Sequence, residues 1–184
     1  MKGIYASQHT LAEMKRTNRP KDWPFATALG VNLLDAGDAR GWLHIYNDEL
    51  LLELAERIPC PPEIAARRPV LGLALRRDDR LKQAVHVEIQ YWHELDLARL
   101  RVHERVLRPY LVAVRKAKIK HASLVEQHQA RLACAERWLP TNPLRDHGLT
   151  ALVDEARAEL AKMIPTVPLE FLPDVTDNFR TVMQ

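Results

Sequence analysis

The chain is predicted to be mainly α-helical, with a small α/β portion at its N-terminus followed by a bundle of long helices that includes one long helix kinked at a proline. Three observations predict this. Leu (27) and Ala (22) make up over a quarter of the 184 residues, whereas Gly contributes only 6, a bias toward helix formers and away from turn-rich sheets. From Asp79 to Leu139 no Gly occurs and Pro109 is the only helix breaker. Residues 3–6 and 42–46, by contrast, are short and rich in aromatic and branched side chains, as strands are.

Between those two strand candidates the chain reads as helical. Thr10 with Glu13 three residues later has the spacing of a capping box, opening a helix to about Arg16. Asp22 is placed to cap a second helix with Pro24 in its first turn, and Phe25, Ala28, Leu29 and Leu33 give it an apolar stripe ending near Gly37. Asn47, followed by Asp48 and Glu49, starts a third that Pro59 stops. Short helices over about 62–67 and 70–76 come next, then a start signal at Asp78 and Asp79.

The Gly-free stretch predicts two long helices meeting at a kink near Arg108 and Pro109. The second would carry a heptad-like stripe of Leu111, Val114, Lys118, His121, Val125, His128, Leu132, Ala135 and Leu139, whose polar members make it a poor coiled coil. A loop over 140–148 precedes a helix over about 149–163. Beyond it, Pro165, Pro168 and Pro173 predict an extended arm that Phe171, Leu172 and Phe179 dock on the body. The expected division is a small α/β portion over 1–46, a helical domain over 47–164 and the arm over 165–184.

Hydrophobic residues at 47% and charged residues at 28% exclude a disordered or collagen-like chain. The longest uncharged apolar run, Pro69–Leu75, is too short to cross a bilayer. With two cysteines and no signal-peptide pattern, a soluble cytoplasmic protein without membrane partners is expected.

Enzyme motifs are sparse. The chain contains no GxSxG, GxxxxGK[ST] or GxGxxG. Cys60 sits in a proline-rich connection and Cys134 in a helical stretch, so neither reads as a nucleophile. His86 with His93, and His121 with His128, are seven apart, about 10 Å along a helix, which does not suit one metal ion. Asp35 with Asp38, and Asp78 with Asp79, stand where turns and caps favour Asp. No catalytic or metal-binding residue is assigned.

Charge is more informative. From Arg99 to Lys120 there are eight basic residues and one acid, a segment of +7, so the rest of the +3 chain is −4. On a helix Arg101, Arg105 and Arg108 share a face, and Arg115 with Lys118 form a second group. Such a rod matches phosphates, since Arg offers a planar fork to their oxygens. The alternative is a solvated face neutralised from other positions, for example by Glu88, Asp96 or Glu126. Only Tyr110 interrupts the run as an aromatic, so stacking on single-stranded bases is not indicated.

The passage Leu11-Ala12-Glu13-Met14-Lys15-Arg16-Thr17-Asn18-Arg19-Pro20-Lys21-Asp22-Trp23 resembles a segment late in the nucleotidyltransferase-like fold of minimal and toxin-type nucleotidyltransferases. There a helix ending in Met-Lys is followed by Arg-Pro-Lys-Asp and another helix. The resemblance covers residues of about 3–37 and implies that Lys15 and Asp22 lie near nucleotide phosphates, flanked by Arg19 and Lys21. It also implies an upstream Gly-Ser turn and acid-x-acid pair holding magnesium. Only ten residues precede Leu11, so the chain reads as beginning partway through such a domain. Magnesium is expected only with that missing segment.

The resulting expectation is a non-catalytic or incomplete nucleotidyltransferase-like protein whose basic helix binds a polyanion, nucleic acid or an acidic protein. The alternative is a helical interaction or self-association module, a homo-oligomer held by the apolar stripe around Val114, Val125 and Leu132.

Overall fold

In the computed structural model, which describes residues 6–164, 169–176 and 179, the chain is helical and no strand occurs among those residues. The helices are α1 (Gln8–Met14), α2 (Trp23–Asp35), α3 (Asp48–Arg57), α4 (Pro62–Arg67), α5 (Val70–Leu75), α6 (Leu81–Lys116), α7 (Leu124–Trp138), α8 (Pro143–His147) and α9 (Leu149–Met163). Most of the strand candidate over 3–6 lies outside the described residues. The one over 42–46 is corrected: Ala39–His44 is a 3₁₀ helix, opened by Asp38, whose carboxylate accepts from the Arg40 N–H at 3.0 Å. Among the described residues that segment has no strand to pair with. It lies instead against α2, backbone to backbone, where a Cβ on Gly41 would stand 2.9 Å from the Leu34 nitrogen and closer still to the Gly30 carbonyl.

Helix starts follow local chemistry. Ser7, one turn before the expected Thr10, caps α1 by accepting from the Thr10 N–H at 3.1 Å. Asn47 caps α3 as expected, accepting from the Leu50 N–H at 2.7 Å. Asp22 precedes α2, but its side chain makes no capping bond and is used elsewhere. Residues 140–148 hold a short helix, α8, rather than only a loop, because Asn142 caps it through the Arg145 N–H and Pro143 takes its first turn.

The two long helices expected to meet near Arg108 and Pro109 are a single one: α6 runs through Pro109 for 36 residues. By Pro109 the helix has left the body, its last buried residue being Val102, and Arg105, whose carbonyl a residue-109 N–H would have met, is an exposed residue. The break falls instead after Lys116. Lys118 adopts a left-handed conformation (φ 50°), a 3₁₀ turn over Ile119–His121 follows, and Ser123 with Glu126 forms a full capping box opening α7. The heptad-like stripe is therefore split between two helices.

Two apolar cores hold the body. One joins Trp23, Ala26 and Tyr46 to Trp92, Leu95 and Val102 of α6, Leu152 and Leu160 of α9, and Leu172, Val175 and Phe179. The second joins Leu34, Trp42 and Ile45 to α3, α5 and the start of α6. Both draw on residues before and after position 46, so packing is continuous across it. The arm's Leu172 and Phe179 dock as anticipated.

Between the cores lies a fully buried ion pair. Arg68 donates from Nε and Nη2 to the Glu88 carboxylate (2.9 and 2.8 Å) and from Nη1 to the Trp42 carbonyl (2.8 Å), while its guanidinium lies 4.7 Å from the Tyr46 ring. Every charge there is hydrogen-bonded, the condition under which a buried pair is tolerated.

Candidate functional site

Past Val102 the molecule changes character. None of the residues from 103 to 138 is buried. The outer part of α6 from residue 103 spans about 21 Å, with α7 folded against it. This hairpin exposes Leu111, Val112, Leu124, Val125, Leu132 and Trp138. Residues 106–138 carry seven Lys and Arg against two Glu, so the hairpin is +5 and the remainder −2.

The proposed polyanion ligands divide. Arg101 and Arg105 share a face as expected, but both approach one carboxylate of α9, Glu155, at 3.8 and 3.5 Å, where His147 also sits at 3.1 Å. Arg99 is held by Asp96 at 2.6 Å. Arg108, Arg115 and Lys118 make no ion pair among the described residues, and neither do Lys116 and Lys120. Lys118 lies beyond the helix end, so it does not form the expected helical pair with Arg115. Of the acids expected to neutralise the run, only Asp96 does so. Glu88 is committed to Arg68, and Glu126 accepts from Ser123 at 2.8 Å. Between α6 and α7 lies a groove of about 760 Å³ lined by Pro109, Val112, Cys134, Arg137 and Trp138.

At the N-terminus the structure brings together three of the four residues singled out by resemblance. Asp22, buried, accepts from Lys15 Nζ (3.3 Å) and the Thr17 hydroxyl (3.0 Å), and Arg19 Nη2 forms an ion pair with it at 2.6 Å. Burial pushes its carboxyl up, but Thr17, Lys15 and Arg19 together outweigh this and hold it below the ordinary range. Lys21 stays exposed, outside this clasp.

Sequence reasoning missed the side chains beside the clasp. Arg16 Nη2 donates to the Leu43 carbonyl (3.1 Å) and to His44 Nδ1 (3.0 Å). That fixes the proton of His44 on Nε2, which donates to His9 Nδ1 at 2.8 Å, so His9 carries its own proton on Nε2, 3.6 Å from Glu13. Burial and the neighbouring Arg16 push the pKa of His44 down to about 2, and burial lowers that of His9. The Arg16 guanidinium lies 4.8 Å from the Trp92 ring. Together with α6 and the start of α8 it walls a cleft of about 460 Å³. No spacing rule links residue 16 to residue 92.

Among the described residues no group of three or more His, Cys, Asp or Glu is placed to hold a metal ion, and no helix is long and apolar enough to cross a membrane. Burial pushes the Cys60 thiol up to about 11, against thiolate chemistry. No protein-family model, curated protein or solved structure matches the chain.

Proposed function

We propose that this protein is a non-catalytic binding protein whose body presents the α6–α7 hairpin to a polyanion, with nucleic-acid phosphates as the favoured chemistry. One observation carries the reading: a +5 hairpin with no buried residue keeps Arg108, Arg115, Lys116, Lys118 and Lys120 out of any ion pair among the described residues. Cations left unneutralised on a projecting rod release counterions when they meet phosphates, which drives binding. Arg101 and Arg105 have a secondary part, since Glu155 must be displaced before they engage a ligand.

The nucleotidyltransferase-like reading of residues 11–23 enters as a structural contribution. Lys15 and Arg19 are committed to Asp22 and brace the turn between α1 and α2, leaving Lys21 as the unengaged cation of that set. The exposed Leu124, Val125 and Leu132 favour a second reading, self-association or docking of an acidic protein through the same hairpin.

The test is a salt titration of binding to a mixed-sequence DNA duplex and to a structured RNA. Five phosphate contacts predict a slope of log affinity against log salt of about −4.5 on duplex DNA. No detectable binding at low salt contradicts the proposal, and a concentration-dependent rise in mass with no binding selects the second reading.

A further inference from the structure

We propose that the groove between the outer part of α6 and α7 is the docking site for an acidic amphipathic helix of a partner protein, one whose apolar residues lie between two acids about seven positions apart. Such docking rests on the second reading, an acidic protein on the hairpin, and is independent of nucleic-acid binding. The groove holds about 760 Å³. Its α6 wall is the stripe Pro109, Val112, Ala113, Lys116 and Ala117, about 12 Å long. That is just over two turns, the length over which a helix laid in a groove presents anchors at i, i+3 or i+4, and i+7. Apart from half-buried Ala113 and Cys134, the lining residues are exposed. The groove is therefore an open trough along the hairpin, suited to a helix and not to enclosing a small molecule.

Charge defines the occupant. Two cations and no acid line the trough. Because α7 folds back along α6, Lys116 near the end of α6 lies toward the hairpin tip, and Arg137 near the end of α7 lies toward the body. The two charges thus stand at opposite ends of an apolar middle. Neither makes an ion pair among the described residues, and Arg137 lies only over the Trp138 ring, 5.3 Å from its centroid. A helix whose acids stand about seven residues apart, about 10 Å, sets one against each cation. The apolar residues between them cover Val112 and Trp138, 48% and 44% exposed, and small Ala113, Ala117 and Ala133 let the incoming helix approach closely.

The other occupants fit less well. A second copy seating its own hairpin here brings another +5 against the first, and like charges brought together across an interface are costly. A phosphate backbone has no use for the apolar middle. It also meets a different face: at 3.6 residues per turn, Arg108 and Arg115 stand more than about 100° round α6 from the centre of the groove stripe. The hairpin therefore offers phosphate contacts on one side and a helix seat on another.

The experiment uses the full chain and a dye-labelled, Ala-rich helical peptide of about 15 residues, carrying two Leu between two Glu seven apart, with a second peptide that has Lys in place of Glu. Anisotropy gives affinity. Trp23, Trp42 and Trp92 are buried, so a change in tryptophan emission on binding reports Trp138 in the groove. The expected result is saturable binding of the Glu peptide with a blue shift that disappears in Trp138→Phe. Lys116→Glu with Arg137→Glu should weaken that binding at least about tenfold and take up the Lys peptide instead. Ala133→Phe, an exposed position that fills the trough, should abolish it. Arg108→Glu with Arg115→Glu should leave the Glu peptide within about threefold while DNA affinity falls. No binding of the Glu peptide overturns the proposal, as does equal binding of both peptides by the unaltered chain. Binding that survives Ala133→Phe without a blue shift also overturns it, placing an acidic partner elsewhere on the hairpin and leaving the second reading in force. A doubled mass of the chain alone, reversed by Ala133→Phe, gives the groove to a second copy and overturns it too.

Discussion

The body and the hairpin are made from the same long helix, and they use it in opposite ways. Up to Val102, α6 buries about two residues per turn and places Glu88 against Arg68 between two cores. Beyond that residue the same helix buries nothing, and its partner α7 buries nothing either. The body's polar groups are spent internally, on Arg68, Asp22 and His44. The hairpin's cations are not. Stability resides in one region and available chemistry in the other, so substitutions should separate the two.

The largest expected effect is in the body. Arg68→Met or Glu88→Gln strands a buried charge and should cost about 3–5 kcal/mol in denaturant unfolding. A loss no larger than that of a surface substitution would show that the pair is not the joint between the cores. Next is Gly41→Ala, which forces α2 away from the 3₁₀ segment and should cost about 1–3 kcal/mol.

Acidification probes the same region. His44 and His9 have pKa values below the ordinary histidine value of 6.5 in the folded protein, so the unfolded chain binds more protons and stability falls as pH drops below about 6.5. Between pH 7.5 and 5.5 His44 alone should cost about 1.4 kcal/mol. Repeating the unfolding series with His44→Asn should flatten that dependence, and an unchanged slope would assign it elsewhere. The smallest effect belongs to the hairpin: Leu124→Ser with Val125→Ser should change global stability by no more than about 0.5 kcal/mol. A loss of several times that would mean these side chains are buried in solution, as in an oligomer.

How much of this was legible in the sequence depended on how local the cause was. Asn47 as a cap, the short helix over 62–67 and the helix over 149–163 are set by neighbours within a turn or two, and they read correctly. Trp42–Tyr46 has strand-like composition, but its conformation follows from Gly41 packing on Gly30, a tertiary contact that overrides propensity. Pro109 was read as the meeting point of two helices for a related reason. Its cost depends on whether its helix is buried there, and the sequence does not show where α6 leaves the body. The +7 run was legible as a count, whereas its partial neutralisation by Glu155, about 50 residues later, was not. The cleft could be read only from the fold, because Arg16, Trp92 and Leu144 meet from three distant segments.

The most direct test pairs two readouts on one variant, Arg108→Glu with Arg115→Glu and Lys116→Glu, all exposed and without ion pairs among the described residues. The division of labour predicts an unchanged unfolding midpoint and at least about a tenfold loss of affinity for duplex DNA. Undiminished affinity in a folded variant, or a collapse of stability with it, would contradict the assignment of binding to the hairpin and of stability to the body.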